Sequence, residues 1–262
     1  MTRPYERIRV ARDAGVETLT LAYPERKNAI GPRMINELLW ALADATEAVD
    51  VRSIVLTGEG SAFCSGGDFG EMTGEGAGAG AALPFKGDYA DLLLALVRCE
   101  KPVVARVNGL ALGGGLGLAA ACTFAVASND ARLGTPEIDV GLYPMIIMAV
   151  LARHVPRRRL LEMSLLGQKL SADEAVRLGL LNRAVPAAEL DAEVREITDA
   201  IASKSPVTVK LGLRATAAQE GLDLDASLPM LRQRLGEVLA THDCREGLAA
   251  FLARRPPRWT GT

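Results

Sequence analysis

Between residues 5 and 23 apolar and polar positions alternate loosely, with Ile8, Val10, Val16, Leu19 and Leu21 assigned to one face and Gly15 where a hairpin would turn. The pattern predicts two short antiparallel strands. Residues 24–32, which carry Lys27, Asn28, Ala29 and Ile30 between Pro24 and Pro32, read as a loop. From Arg33 the period lengthens. Met34, Leu38, Leu42, Ala45 and Val49 recur every three or four residues and predict an amphipathic helix over 33–49. The apolar run at 53–57 then predicts a buried strand, closed by Gly58-Glu59-Gly60. A β, α, β order implies parallel strands joined by helical crossovers, and 103–107 and 124–127 supply further strands. The glycines within 73–82 disfavour a helix and predict a mobile loop, and a helix over 89–98 follows, ending at Lys101-Pro102.

Past residue 144 strand signals vanish and helical spacing takes over, with helices expected at 145–153, 156–166, 172–178, 188–203, 206–220, 224–240 and 245–253. Ser171 with Glu174 forms a capping box for the third of these, and Gly179 stops it. The expected organisation is an α/β core over 1–190 followed by a helical region over 191–262. In the latter, Leu228, Leu231, Leu235, Val238 and Leu239 line one side, which either meets another subunit or folds back on its own body.

Composition narrows the class. The 262 residues are 49% hydrophobic and 24% charged, so the chain is globular and long enough to bury a substantial core. The formal net charge of −2, with no basic stripe apart from Arg157-Arg158-Arg159 at a helix start, argues against nucleic acid as a partner. Cys64, Cys99, Cys122 and Cys244 show neither Cys-x-x-Cys nor a histidine at ligand spacing, which implies no metal site and a reducing, cytoplasmic setting. The N-terminal residues lack an apolar segment after their charges and no run reaches spanning length, so neither a signal peptide nor a membrane partner is expected.

Candidate chemistry gathers at two glycine turns. Gly113-Gly114-Gly115 follows an apolar strand and opens an Ala/Leu helix, which puts bare backbone N–H groups at a helix N-terminus. Ser65-Gly66-Gly67-Asp68 follows the 53–57 strand and lets the backbone approach a ligand closely. Two such N–H sources aimed at one point would form an oxyanion hole. Its partner must move a proton. His154 and His242 lie in charged helical surroundings, so the candidate is Glu137, set after Pro136 in an apolar stretch where partial burial would raise its pKa. A Pro-Glu pair is also an ordinary helix start, and Gly115-x-Gly117-x-x-Ala120 also matches a dinucleotide fingerprint on paper.

The segments Lys27 to Ile30, Ala62 to Asp68, Val107 to Gly115, Pro136-Glu137, Gly167 to Pro186 and Arg245 to Trp259, in this order and spacing, resemble the enoyl-CoA hydratase/isomerase (crotonase) superfamily over almost the whole chain. The resemblance implies an α/β fold with a repeated ββα core and a helical C-terminal trimerisation region. It implies an acyl-CoA thioester as substrate, no other cofactor, and a homotrimer or dimer of trimers. By match to the family pattern, the N–H groups of Gly67 and Gly114 would hold the thioester oxygen. Lys27, Asn28, Ala29, Gly66, Asp68, Phe69 and Gly70 would line the CoA path, and Arg258 would reach towards a neighbouring subunit's CoA.

One departure matters. Hydratases that look like this chain place two glutamates around one water, and the first of those positions is Gly117 here. Glu137 remains at the second. Water addition needs a base and an acid, whereas one carboxylate suffices to move a proton from the α-carbon to a position two carbons along. The resemblance therefore implies an isomerase first. The alternatives are a hydratase in which Asp68 or Glu71 stands in, and a binding protein that has lost its chemistry. After Pro144, Met145 and Met148 replace a glycine-rich turn, as an apolar wall for the acyl tail or as plain helix core.

Overall fold

In a computed structural model, residues 3–72 and 83–262 are described; the expected loop at 73–82 lies outside the described residues. The hairpin forms as predicted. β1 (Ile8–Asp13) runs antiparallel to β2 (Val16–Leu21), with Asp13 opposite Val16 and only Ala14 and Gly15 between them, both at positive φ. The two strands do not share one apolar face, however. Leu19 and Leu21 point into the main core, while Val16, of opposite parity, packs on the other side of the sheet, and Val10 stays partly exposed at the edge.

α1 (Pro32–Glu47) starts at a proline in its first turn and buries Met34, Ile35, Leu38, Leu39, Leu42 and Ala45 along one stripe. β3 (Ser53–Gly58) is buried throughout, with the apolar Ile54-Val55-Leu56 at its centre, as a central parallel strand requires. It is followed by β4 (Ala62–Cys64), the short helix α2 (Phe69–Met72) and α3 (Tyr89–Val97), the last opened by an Asp88 and Asp91 capping box. β5 (Val103–Val107), β6 (Leu110–Leu112) and α4 (Gly114–Ala121) repeat the plan, and β7 (Phe124–Ser128) and β8 (Arg132–Gly134) repeat its strands.

In each repeat the first strand joins one sheet and the second joins another. The six-stranded sheet has the order β1-β2-β3-β5-β7-β10 and the four-stranded sheet the order β4-β6-β8-β9, where β9 is Lys169–Ser171 and β10 is Arg183–Val185. β9 and β10 correct the expectation that strands end before residue 144. Each has three residues, too few to express a period. Between β8 and β9 lie a 3-10 turn at Pro136–Val140, α5 (Met145–Leu151) and α6 (Arg157–Leu166). α7 (Ala172–Arg177) carries the Ser171 and Glu174 capping box.

α4 is buried on every side from Gly115 to Ala121, which explains its small residues: it lies in the main core. α8 (Leu190–Ala202) returns to the far face of the first sheet, where Leu190 and Val194 pack on Val55, Val104 and Val126. The last helices behave differently. α9 (Pro206–Gln219) buries no residue, and α10 (Leu224–Leu239) leaves Leu228, Leu235 and Leu239 more than half exposed. α11 (His242–Leu252) holds the C-terminal tail through buried Asp243, which accepts hydrogen bonds from Thr260 N, Thr260 Oγ1, Gly261 N and Ser205 Oγ at 2.8 to 3.1 Å. No described helix is long and apolar enough to cross a membrane.

Candidate active site

β4, β6 and β8 are neighbours in one parallel ladder, with Cys64 opposite Ala111 and Leu112 opposite Gly134, so the chain leaves all three at the same end. The exits are the Gly66-Gly67 turn, the Gly113-Gly114 turn and Thr135-Pro136-Glu137. The carboxyl ends of parallel strands are where open sheets collect ligand sites.

Glycine is needed at both turns. Gly66 has φ +111° and Gly113 φ +50°, in the region that disfavours a side chain. Gly115 packs so closely on the Cys64 backbone that a Cβ would collide with it. Ile30 ties the two turns together. Its N–H donates to Gly66 O at 2.8 Å, its carbonyl accepts from Asp68 N at 2.9 Å, and its Cγ2 would lie 3.2 Å from a Cβ on Gly114. That bridge leaves the Gly67 N–H outside it, and Gly114 is the first helical residue of α4, whose N–H has no partner within the helix. The sequence-predicted glycines thus meet at one place.

Glu137 joins them. A Cβ on Gly113 would lie 2.7 Å from its Oε1. The residue is half-buried, and Oε2 is fully enclosed without a hydrogen-bond partner among the described residues. Burial raises the carboxyl pKa above the ordinary glutamate value, opposed only by a bond to its own backbone. An enclosed, unsatisfied carboxylate oxygen costs the fold free energy and calls for an explanation in function.

The other expected residues divide. Lys27, at φ +51°, is exposed, and its carbonyl accepts from Ser65 N at 3.0 Å. Asn28 is fully buried, with its side chain accepting from Tyr23 N and donating to Glu59 O and Ala62 O, so it shapes the loop from inside. Ala29 is buried beside it. Asp68 is buried as well, and its Oδ1 accepts from Arg26 Nη2 at 3.2 Å, Gly70 N at 3.1 Å and Glu71 N at 3.3 Å, which caps α2. Phe69 opens that helix; its side chain lies outside the described residues. Glu71 pairs with Arg7 at 3.3 Å. Neither Asp68 nor Glu71 is free to replace a missing acid.

Two residues that sequence reasoning missed complete the geometry. A Cβ on Gly117 would come within 2.5 Å of the Tyr89 hydroxyl and collide with Ile147 Cγ2. Tyr89 Oη donates to Gly114 O at 2.5 Å. Burial first, then Cys64 and Glu137 nearby, push the phenol well above its ordinary pKa, so it stays protonated. Met145 is exposed, and it is Ile147 between the two methionines that faces α4. Nothing in the local sequence marks either residue, because their meeting is tertiary. The close contacts at Gly115 and Gly117 are demands of core packing, which accounts for the Gly-x-Gly spacing without a dinucleotide.

A model of the family described as "Enoyl-CoA hydratase/isomerase" matches residues 11–262. The chain belongs to the enoyl-CoA hydratase/isomerase family. It is 35% identical over 246 residues to human "Enoyl-CoA hydratase domain-containing protein 3, mitochondrial", covering 94% of this chain and 81% of that protein. It is 32% identical over 246 residues to the "Short-chain-enoyl-CoA hydratase" of Clostridium acetobutylicum, covering 93% and 94% respectively. The crystal structure of the human domain-containing protein 3 superposes with a TM-score of 0.89 at 33% identity, over 97% of this chain and 100% of that one. An enoyl-CoA hydratase from Mycobacterium smegmatis gives 0.88 at 32% identity, over 97% and 99%. The crotonase fold expected from the sequence is the fold of the chain, and it is an enoyl-CoA hydratase/isomerase-family enzyme acting on acyl-CoA.

Proposed function

We propose that this family member shifts the double bond of a 3-enoyl-CoA to the 2-position, with Glu137 as its single base. The N–H groups of Gly67 and Gly114 hold the thioester oxygen as negative charge develops on it, and Glu137 takes the α-proton and returns it two carbons along. The observation that carries this reading is the contrast among carboxylates: Glu137 Oε2 is enclosed with no partner among the described residues, while Asp68 and Glu71 are committed to Arg26 with two amides and to Arg7. The loop at Lys27, Asn28 and Ala29 and the stretch from Gly66 to Gly70 border the CoA. The CoA thioester is substrate, and no further cofactor takes part.

Residues 1–190 serve as the catalytic body and 191–262 as the oligomerisation region of a trimer or dimer of trimers. The exposed Leu228, Leu235, Leu239 and Phe251 support that assembly. Four free thiols support a reducing setting such as the cytoplasm. The hydratase names of the relatives favour a second reading, water addition to a 2-enoyl-CoA.

Purified protein is incubated with a 3-enoyl-CoA and separately with crotonyl-CoA, and the conjugated thioester absorbance is followed. A gain with the first substrate, absent in Glu137→Gln, is the expected result. A loss with the second identifies hydration instead.

A further inference from the structure

The place where a second carboxylate would stand is filled, and the filling is specific. The Tyr89 hydroxyl lies within 2.5 Å of a Gly117 Cβ and 3.4 Å from a Gly114 Cβ, while the Glu137 carboxylate lies 2.7 Å from a Gly113 Cβ. The phenol and the carboxylate therefore cover the same glycine turn. Tyr89 is held there by its 2.5 Å bond to Gly114 O, and Ile147, itself buried, closes the side facing α5. The Tyr89 proton is directed to that carbonyl and away from Glu137.

We infer that Tyr89 and Ile147 set the outcome of the reaction: they occupy the volume in which a second acid and its water would sit, and so reserve the dienolate for proton return by Glu137. This rests on the isomerase reading. In the step itself the C2–H bond breaks to the Glu137 carboxylate, and its electron pair spreads through the dienolate to the thioester oxygen. The protonated Glu137 then forms the C4–H bond, the pair returns, and C2=C3 remains. No atom is gained or lost. Water that reached Glu137 between these events would exchange the carried proton, and water at C3 of the product would add across the new double bond. A filled volume suppresses both. Tyr89 acts here as a specificity-determining residue, and its raised proton affinity keeps it a neutral donor throughout.

The test is isomerisation of a 3-enoyl-CoA in D2O, with deuterium at C4 of the product read by mass spectrometry and melting curves taken on every variant. Wild type is expected to retain mainly the substrate's own hydrogen. Tyr89→Leu and Ile147→Ala, made separately so that each reports if the other misfolds, are expected to raise C4 deuterium per turnover by at least about twofold. Tyr89→Phe keeps the ring but loses the hydroxyl that lies nearest Gly117 and its bond to Gly114 O, and is expected to fall between wild type and Tyr89→Leu. Unchanged deuterium in folded, active Tyr89→Leu and Ile147→Ala overturns the inference alone. A wild type that does not isomerise overturns the reading beneath it, and the inference with it.

Discussion

Glu137 and Asp68 are both carboxylates beside a glycine turn in a mostly apolar setting, yet their surroundings are opposite. Asp68 receives two backbone amides and a guanidinium. Glu137 has one enclosed oxygen with no donor to accept from among the described residues, and a raised pKa. A satisfied buried carboxylate builds structure; an unsatisfied one is kept at a cost, and in an enzyme that cost points to chemistry. Composition and spacing could not separate the two, and hydrogen-bond partners do.

The comparison can be broken most sharply at Glu137. Glu137→Gln is expected to lower kcat by about 10²- to 10⁴-fold while raising the melting temperature at neutral pH. The sign of the second effect follows from linkage. A carboxyl whose folded pKa lies above its unfolded value holds its proton more tightly when folded, so its contribution falls as pH rises through the folded pKa, leaving a charged, buried group at neutrality. The amide removes that charge. A melt that drops instead would show Glu137 to be structural.

Next in size is the side of the site proposed to hold the thioester oxygen. Gly114→Pro deletes one N–H at the first helical position, where proline is tolerated, and is expected to cost about 10²- to 10³-fold in kcat. Asp68→Ala removes the cap of α2 and strands Arg26, and is expected to lower stability by about 0.5–2 kcal/mol with kcat changed less than tenfold, read by denaturant melts beside steady-state kinetics. The smallest effect is a displacement: the acid limb of kcat/KM, which needs ionised Glu137, is expected at a pH above the ordinary glutamate range, because burial raises that pKa. An acid limb in the ordinary range would mean that Glu137 is better solvated in the working enzyme.

The long elements were legible because their periods were long enough to read. α1 shows its stripe in the spacing of Met34, Leu38, Leu42 and Ala45, and β3 in the apolar Ile54-Val55-Leu56 at its centre. The second sheet was not legible, since β4, β6, β8 and β9 each have three residues and draw their identity from neighbours far along the chain. The site divided in the same way. Gly66 and Gly113 announce themselves because positive φ is a local demand that glycine meets. Tyr89 and Ile147 do not, because their function lies in what they fill, and that volume is defined by a glycine on another helix.

The central claim, that Glu137 alone moves the α-proton, is tested most directly without any double bond. A saturated thioester such as butyryl-CoA is incubated with enzyme in D2O and exchange at C2 is followed by NMR. Exchange by wild type that is slow beside isomerisation, because Glu137 is sheltered from water, and that disappears in Glu137→Gln is the expected result; exchange that persists in folded Glu137→Gln would contradict it and require another base at the glycine turn.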